Sequence, residues 1–312
     1  MKICPLTVIV VFLLRCTCFA APDIVRGEDQ FEFAYRVTLP QLNAKAEMWL
    51  PLAKTDAFQI VKIEHISMPV EWRRVQDRQY NNEILVLWPG PHESGETIEI
   101  DYTVQRREKG SYNVSGDAKQ YLQPERLVPL NQTFKSIATT LITGKGNDIE
   151  RGRVLYDYVL SRMKYDKTGT GWGRGDAVYA CDARTGNCTD FHAYFIALAR
   201  AAGIPARFAI GVTIPADRDD GKIAGYHCWA EFLADGSWVP IDISEASKNP
   251  ALADYYFGHN PANRFELSQG RDLVPEPEPR SGPINFLVYP LLEVDGKPVK
   301  VEAEFAFHRT KS

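Results

Sequence analysis

The sequence predicts an α+β protein: an N-terminal antiparallel β-sandwich, followed by a region in which helices pack on a mainly antiparallel sheet. Three observations predict it. Between Gln30 and about Arg107, apolar and polar residues alternate at period two. From Phe134 to Ala202, apolar residues recur at helical spacing. After Ile204 period two returns, so helices are enclosed between runs of strands. At 312 residues, 45% hydrophobic and 24% charged, the chain suits one large or two modest domains.

The elements follow in order. Residues 1–20 read as a signal peptide. Lys2 gives the positive start, Leu6 to Leu14 the apolar run, and Cys18 and Ala20 the small residues before cleavage. The run is too short for a spanning helix, and no later segment is apolar enough to be one. The expected location is therefore secreted or periplasmic, in the cell envelope. The leader carries Lys2 and Arg15 but no acid, so its loss takes the formal charge from −4 to −6. That balance argues against a nucleic-acid partner and offers no polybasic membrane patch.

Residues 21–118 form the expected β domain. Its clearest strand is ETIEIDYTVQ, where Ile98, Ile100, Tyr102 and Val104 alternate with polar residues. FEFAYRVTL, AEMWLPL, FQIVKIEHI and EILVLWPG read as further strands, and short strands with polar turns suggest a sandwich. KGSYNVSGD, at 109–117, reads as a linker. Residues 119–312 form the expected second domain. Its helices are marked by Phe134, Ile137, Ala138, Leu141 and Ile142, then by Val154, Leu155, Tyr158, Val159 and Met163. A third stripe is Phe191, Tyr194, Phe195, Leu198, Ala199 and Ala202. RFAIGVTI, HCWAEFL and SWVPIDI return to strand. INFLVYPLLEV and KPVKVEAEFAF flank Asp295-Gly296, a hairpin signal. Residues 260–283 read as a long loop packing over a site.

The leader takes three cysteines with it, and the remainder keeps Cys181, Cys188 and Cys228. An odd number in an oxidising compartment leaves at least one thiol without an internal partner. Whether Cys181 and Cys228 pair is left open. Cys188 follows Gly186-Asn187 and precedes the third helical stripe, so a helix N-terminus would lower its pKa. A nearby imidazolium would lower it further. His192 lies one helical turn after Cys188 and shares its face. His227 opens HCWAEFL, with Trp229 and Glu231 on its face and Cys228, Ala230 and Phe232 on the other. Cys228 is thereby expected to point away from the site. Turning at Ala234-Asp235-Gly236, the chain would bring Asp242 across from His227. A carboxylate there orients the ring and stabilises its charged form. Cys188, His227 and Asp242 thus make a Cys-His-Asp set suited to nucleophilic catalysis. The competing readings are a structural thiol, a core histidine and a turn-capping acid. Metal binding is disfavoured, because no CxxC or HxxxH pair is present. No cofactor is expected.

GNCTDFHAYFIALARAAGIPARF, GYHCWAEF and WVPIDIS together resemble the transglutaminase-like superfamily, the papain-related cysteine enzymes. More narrowly, the chain resembles bacterial secreted transglutaminase-like proteins with an N-terminal β domain. The likeness is densest over about 150–260, and GRD with NFLVYP extends it towards the C-terminus. It implies Cys188 as nucleophile, His227 as base and Asp242 as orienting acid. It also implies acyl transfer from an amide, with a peptide or protein substrate and either water or an amine as acceptor. The backbone N–H of Cys188 is the first oxyanion donor to consider. Trp172, Asp190 and His192 are further candidates for oxyanion or substrate binding. Asp190 also reads as a first-turn acid and His192 as a packing residue. The alternative to a cysteine peptidase, amidase or transglutaminase is a non-catalytic binding or envelope structural module on the same fold.

Overall fold

The computed structural model describes residues 24–113 and 116–310. The signal-peptide reading of residues 1–20 lies outside them. The chain is mixed α+β, with mostly antiparallel sheets and five α-helices among the described residues. The helices are α1 (Gln132–Ile142), α2 (Asp148–Arg162), α3 (Ala177–Ala183), α4 (Cys188–Ala201) and α5 (Ile243–Lys248). Their starts follow local chemistry. Asn131, Asn147, Asp176, Asn187 and Asp242 each cap the following helix with a side-chain oxygen. No helix of the described residues is long and apolar enough to cross a membrane.

The sheet that serves these helices has the strand order Arg264–Gln269, Ala206–Thr213, His227–Ala234, Ser237–Ile241, Tyr112–Asn113, all antiparallel. Its Arg264–Gln269 strand lies inside the stretch read as a long loop. Arg264 and Ser268 are buried polar residues there, and they masked the alternation. The PEPEP segment does run as irregular chain. INFLVYP is not a strand either. Ile284 makes an isolated bridge with Leu273, the strand begins at Leu291, and Leu291–Val294 joins Lys297–Val299 through Asp295-Gly296 as the hairpin signal requires.

Two further five-stranded antiparallel sheets join the N-terminal strands to strands from later in the chain. The first is ordered Asp220–Ile223, Glu302–Arg309, Glu28–Thr38, Thr97–Arg107, Gln59–Ser67. The second is ordered Lys297–Val299, Leu291–Val294, Ala46–Leu52, Glu83–Leu87, Trp72–Gln76. Alternate residues of these strands (Phe31, Phe33 and Tyr35; Ile98, Ile100 and Tyr102) share a buried core with Met48, Leu50, Leu85 and Leu87. Trp49, Ile84 and Val86, on the other face of the second sheet, join Trp238 and Leu287 in a separate cluster. This two-sided burial explains why AEMWLPL lacks a clean alternation.

α4 is the axis of the helical layer, and every residue from Cys188 to Arg200 is buried. Such burial fits a helix apolar nearly all round. α4 and α2 both pack on the face of the His227–Ala234 strand that carries Phe232. Phe195 meets the Phe232 ring edge-on at 5.7 Å. Gly152 of α2 lies so close that a Cβ there would stand 2.2 Å from the Phe232 ring. Alanine is the better helix former by about 1 kcal/mol, yet Gly152→Ala should lower stability by about 1–2 kcal/mol through overpacking. A urea titration decides the sign. A raised midpoint would show that the ring gives way freely.

Candidate active site

The site begins at the N-terminus of α4. Gly186 has φ +155°, and a Cβ there would strike the Asp190 carboxylate at 2.4 Å. Only glycine lets the chain enter the helix this closely. Asn187 is the N-cap. Its side-chain oxygen accepts from the Thr189 N–H at 3.0 Å, and Asp190 returns a bond from the Asn187 N–H at 3.0 Å. This capping box puts Cys188 at the first helical position, where the backbone N–H has no carbonyl of its own helix to meet.

Asp190 does more than cap. Its carboxylate also accepts from the Gly173 N–H at 2.7 Å and the Gly175 N–H at 3.0 Å. Arg271 then holds the same turn from outside, donating to the carbonyls of Gly175 (2.6 Å) and Arg174 (3.0 Å). Asp190 is fully buried and committed to three backbone donors. Trp172 sits half-buried in the turn that these bonds fix beside the start of α4.

His227 opens its strand and Asp242 follows the neighbouring one. The hairpin pairs Ala230 with Ile241 around Asp235-Gly236. Asp242 therefore lies diagonal to His227 rather than opposite it, and the two side chains close the gap. His227 Nε2 donates to Asp242 Oδ2 at 2.6 Å. The other Asp242 oxygen caps α5 through the Glu245 N–H at 3.0 Å and accepts from Ser244 Oγ at 2.9 Å. With Nε2 taken, Nδ1 is the ring nitrogen left to interact with the Cys188 sulfur, which helps to raise the ring's pKa. Glu245 Oε1 stands 4.0 Å from the same nitrogen.

The electrostatics follow from this packing. Burial opposes charge on His227, but the Asp242 carboxylate, their hydrogen bond and the Cys188 sulfur outweigh it and lift the ring to about 9. Burial likewise opposes charge on Asp242, yet the His227 ring holds its carboxyl well below the usual range. The Cys188 thiol is pulled well below its ordinary value by a hydrogen bond from Cys228 and by His227, against burial. Near neutral pH the arrangement favours a thiolate beside an imidazolium.

The structure thus brings Cys188, His227 and Asp242 together, with His192 beside them. His192 is fully buried on α4 and accepts the Ile243 N–H on Nε2 at 3.1 Å. Burial pulls its pKa down, so the ring is neutral. Cys228 departs from its expected position. It does not point away: the helical layer packs on its face of the strand, and its sulfur lies 3.6 Å from His192 Nδ1 of α4. Cys181, Cys188 and Cys228 are all free thiols. Tyr226 was also missed in the sequence. Its hydroxyl accepts from Asn187 Nδ2 at 2.9 Å, and its position beside His227 was the available signal. Among the described residues, no group of three His, Cys, Asp or Glu is placed to hold a metal ion.

The geometry defines a cysteine-centred site on an α+β scaffold. Comparison with known proteins finds these likenesses. Residues 135–243 match the transglutaminase-like superfamily. An uncharacterized Haemophilus influenzae protein is 25% identical over 319 aligned positions, covering 86% of each chain. YebA of Bacillus subtilis is 22% identical over 219 positions, covering 60% of this chain and 30% of YebA. Among solved structures, a candidate cysteine protease from Cytophaga hutchinsonii superposes with a TM-score of 0.60 at 15% identity. The match covers 91% of this chain and 98% of that one, and it shows a shared fold.

Proposed function

We propose that the protein is a secreted or envelope cysteine enzyme that acts on amide or peptide bonds through a thioester on Cys188. The observation that carries this reading is the His227 ring, joined at one nitrogen to a buried carboxylate and presented at the other to a thiol at a helix N-terminus.

In this reading the Cys188 thiolate attacks the carbonyl carbon. The resulting oxyanion takes the Cys188 backbone N–H, with Trp172 proposed as the second donor. The carbon–nitrogen bond then breaks as His227 Nδ1 gives its proton to the leaving amine. A water or an incoming amine next adds to the thioester, its proton passes to His227, and the carbon–sulfur bond breaks. Water gives a peptidase or amidase, and an amine gives a transglutaminase. Asp242 stays ionised throughout and stabilises the ring's charge.

Two limbs of a pH profile should report the pair. Activity should rise as the thiolate forms, well below the free-thiol value of about 8.5. It should fall near pH 9, where His227 loses its proton and the general acid is gone. The test combines iodoacetamide labelling with peptide mapping and a turnover assay, using a glutamine-containing peptide with and without a fluorescent primary amine. Cys188 should label faster than Cys181, and Cys188→Ala should abolish product. Equal labelling of the two thiols would sink the assignment.

A further inference from the structure

Three aromatic rings meet beside the start of α4 without being fully covered. Tyr226 precedes His227, and its ring centroid lies 5.9 Å from that of Phe286 and 5.8 Å from that of Tyr289. The two tyrosines meet edge-on, at 82°. Phe208 supports Phe286 at 6.0 Å, and Phe305 lies parallel to Tyr289 at 5.5 Å. Rings packed in this way hold their positions. Yet Tyr226 and Phe286 are only half-buried, and Tyr289 is 37% exposed. Apolar surface left open as a connected patch marks a binding site.

Hydrogen bonds tie that patch to the nucleophile. The Tyr226 hydroxyl accepts from Nδ2 of Asn187, the residue before Cys188, at 2.9 Å. Asn285 anchors the segment that carries Phe286 and Tyr289. Its Nδ2 donates to the Arg174 carbonyl at 2.8 Å, and its Oδ1 accepts from Arg271 Nε at 3.1 Å. Arg174 lies in the turn whose flanking amides, at Gly173 and Gly175, bind Asp190. A Cβ on Gly173 would stand 3.5 Å from Asn187 Nδ2, and one on Gly225 would stand 3.5 Å from the Tyr289 hydroxyl. Residues 172–175, 225–226 and 285–289 thus converge on Asn187 and the helix start. The electrostatics agree: burial first, and the Cys188 sulfur with it, raises the phenols of both Tyr226 and Tyr289.

We propose that Tyr226, Phe286 and Tyr289 form a specificity subsite, which seats a large apolar or aromatic side chain of a peptide substrate beside the bond that Cys188 attacks. This rests on the reading of Cys188 as nucleophile and deepens it. The Tyr226 hydroxyl is already bonded to Asn187, so the patch presents ring faces and edges, which suit apolar and aromatic groups. A stacked cation is the competing class.

The experiment measures alkylation of Cys188 by three chloroacetyl dipeptides that differ only in carrying phenylalanine, glycine or lysine next to the reactive carbon. Peptide mass identifies the labelled residue, and each rate is divided by the iodoacetamide rate of the same protein. Wild type should prefer the phenylalanine reagent to the glycine one by about tenfold to a hundredfold, the scale of an apolar group gained in a pocket. Tyr289→Ala and Phe286→Ala should each lose most of that ratio. Tyr289→Phe, which keeps the ring, should retain it. Tyr289 is exposed, so its alanine variant tests the subsite even where Phe286→Ala fails to fold. A wild-type ratio near one overturns the subsite and leaves Cys188 as nucleophile. So does a ratio that survives Tyr289→Ala, or a lysine reagent that outruns the phenylalanine one. Iodoacetamide that labels Cys188 no faster than Cys181 overturns the nucleophile reading as well.

Discussion

Asp242→Asn should cut turnover about 10³- to 10⁴-fold, the scale known for removing an orienting carboxylate from a catalytic histidine. The reason lies in what the carboxylate does with its two oxygens. Oδ2 receives the His227 Nε2 proton and Oδ1 caps α5. An asparagine has one oxygen to divide between the tasks. If it keeps the cap, its amide faces His227, the ring proton moves to Nδ1 and the imidazole can no longer accept the thiol proton. If it keeps the ring, the Glu245 N–H loses its acceptor, at a cost of about 1 kcal/mol. Either way the buried negative charge that lifts His227 is gone. Alkylation of Cys188 at pH 7 should fall by a smaller factor, about tenfold to a hundredfold, because it depends only on the thiolate fraction. An asparagine variant with near wild-type turnover would remove Asp242 from the mechanism.

The second large effect is on stability. Glu231 is fully buried on the face of the strand that His227 begins. It accepts from Lys109 Nζ at 2.8 Å, Arg207 Nε at 2.8 Å and the Tyr112 hydroxyl at 2.8 Å. Burial opposes its charge, but Lys109 and Arg207 prevail and hold its pKa near 2. Glu231→Ala strips buried Arg207 of its carboxylate and leaves Lys109 with Glu266 at 3.4 Å as its remaining carboxylate, which should cost about 3–5 kcal/mol, a large share of the usual 5–15 kcal/mol of net stability. The urea midpoint measures it. Because the folded-state pKa is depressed, Glu231 stabilises fully above its ordinary 4.5 and loses this as pH falls towards 2. Wild type should therefore weaken across that window by more than the variant does. A loss under about 1 kcal/mol would show that water reaches and replaces the partners.

The site was legible in the sequence because its three parts carry local signatures: a capped helix start at Cys188, a strand start at His227, and a hairpin turn leading to Asp242. The β pattern was legible wherever one face meets solvent, as in Thr97–Arg107. What escaped depended on distant packing. Cys228 was assigned by alternation alone, and alternation cannot say which face the helices will cover. The turn at 172–175 is fixed by Asp190 and by Arg271, almost a hundred residues further on, and no spacing rule joins them. The Arg264–Gln269 strand escaped because buried polar residues, here Arg264 and Ser268, look in sequence like a loop.

The placement of the last strands has a kinetic consequence. Glu302–Arg309 pairs with Glu28–Thr38, and Leu291–Val294 pairs with Ala46–Leu52. Each N-terminal strand thus has one edge that only the end of the chain can cover. At a synthesis rate of about 5–20 residues per second, the first strands wait roughly ten to fifty seconds for their partners. Throughout that interval two apolar strands present open edges, the geometry most prone to pairing with another chain. A chain shortened by its last twenty or so residues would keep its thiol, its imidazole and its carboxylate, and would fail first by aggregating.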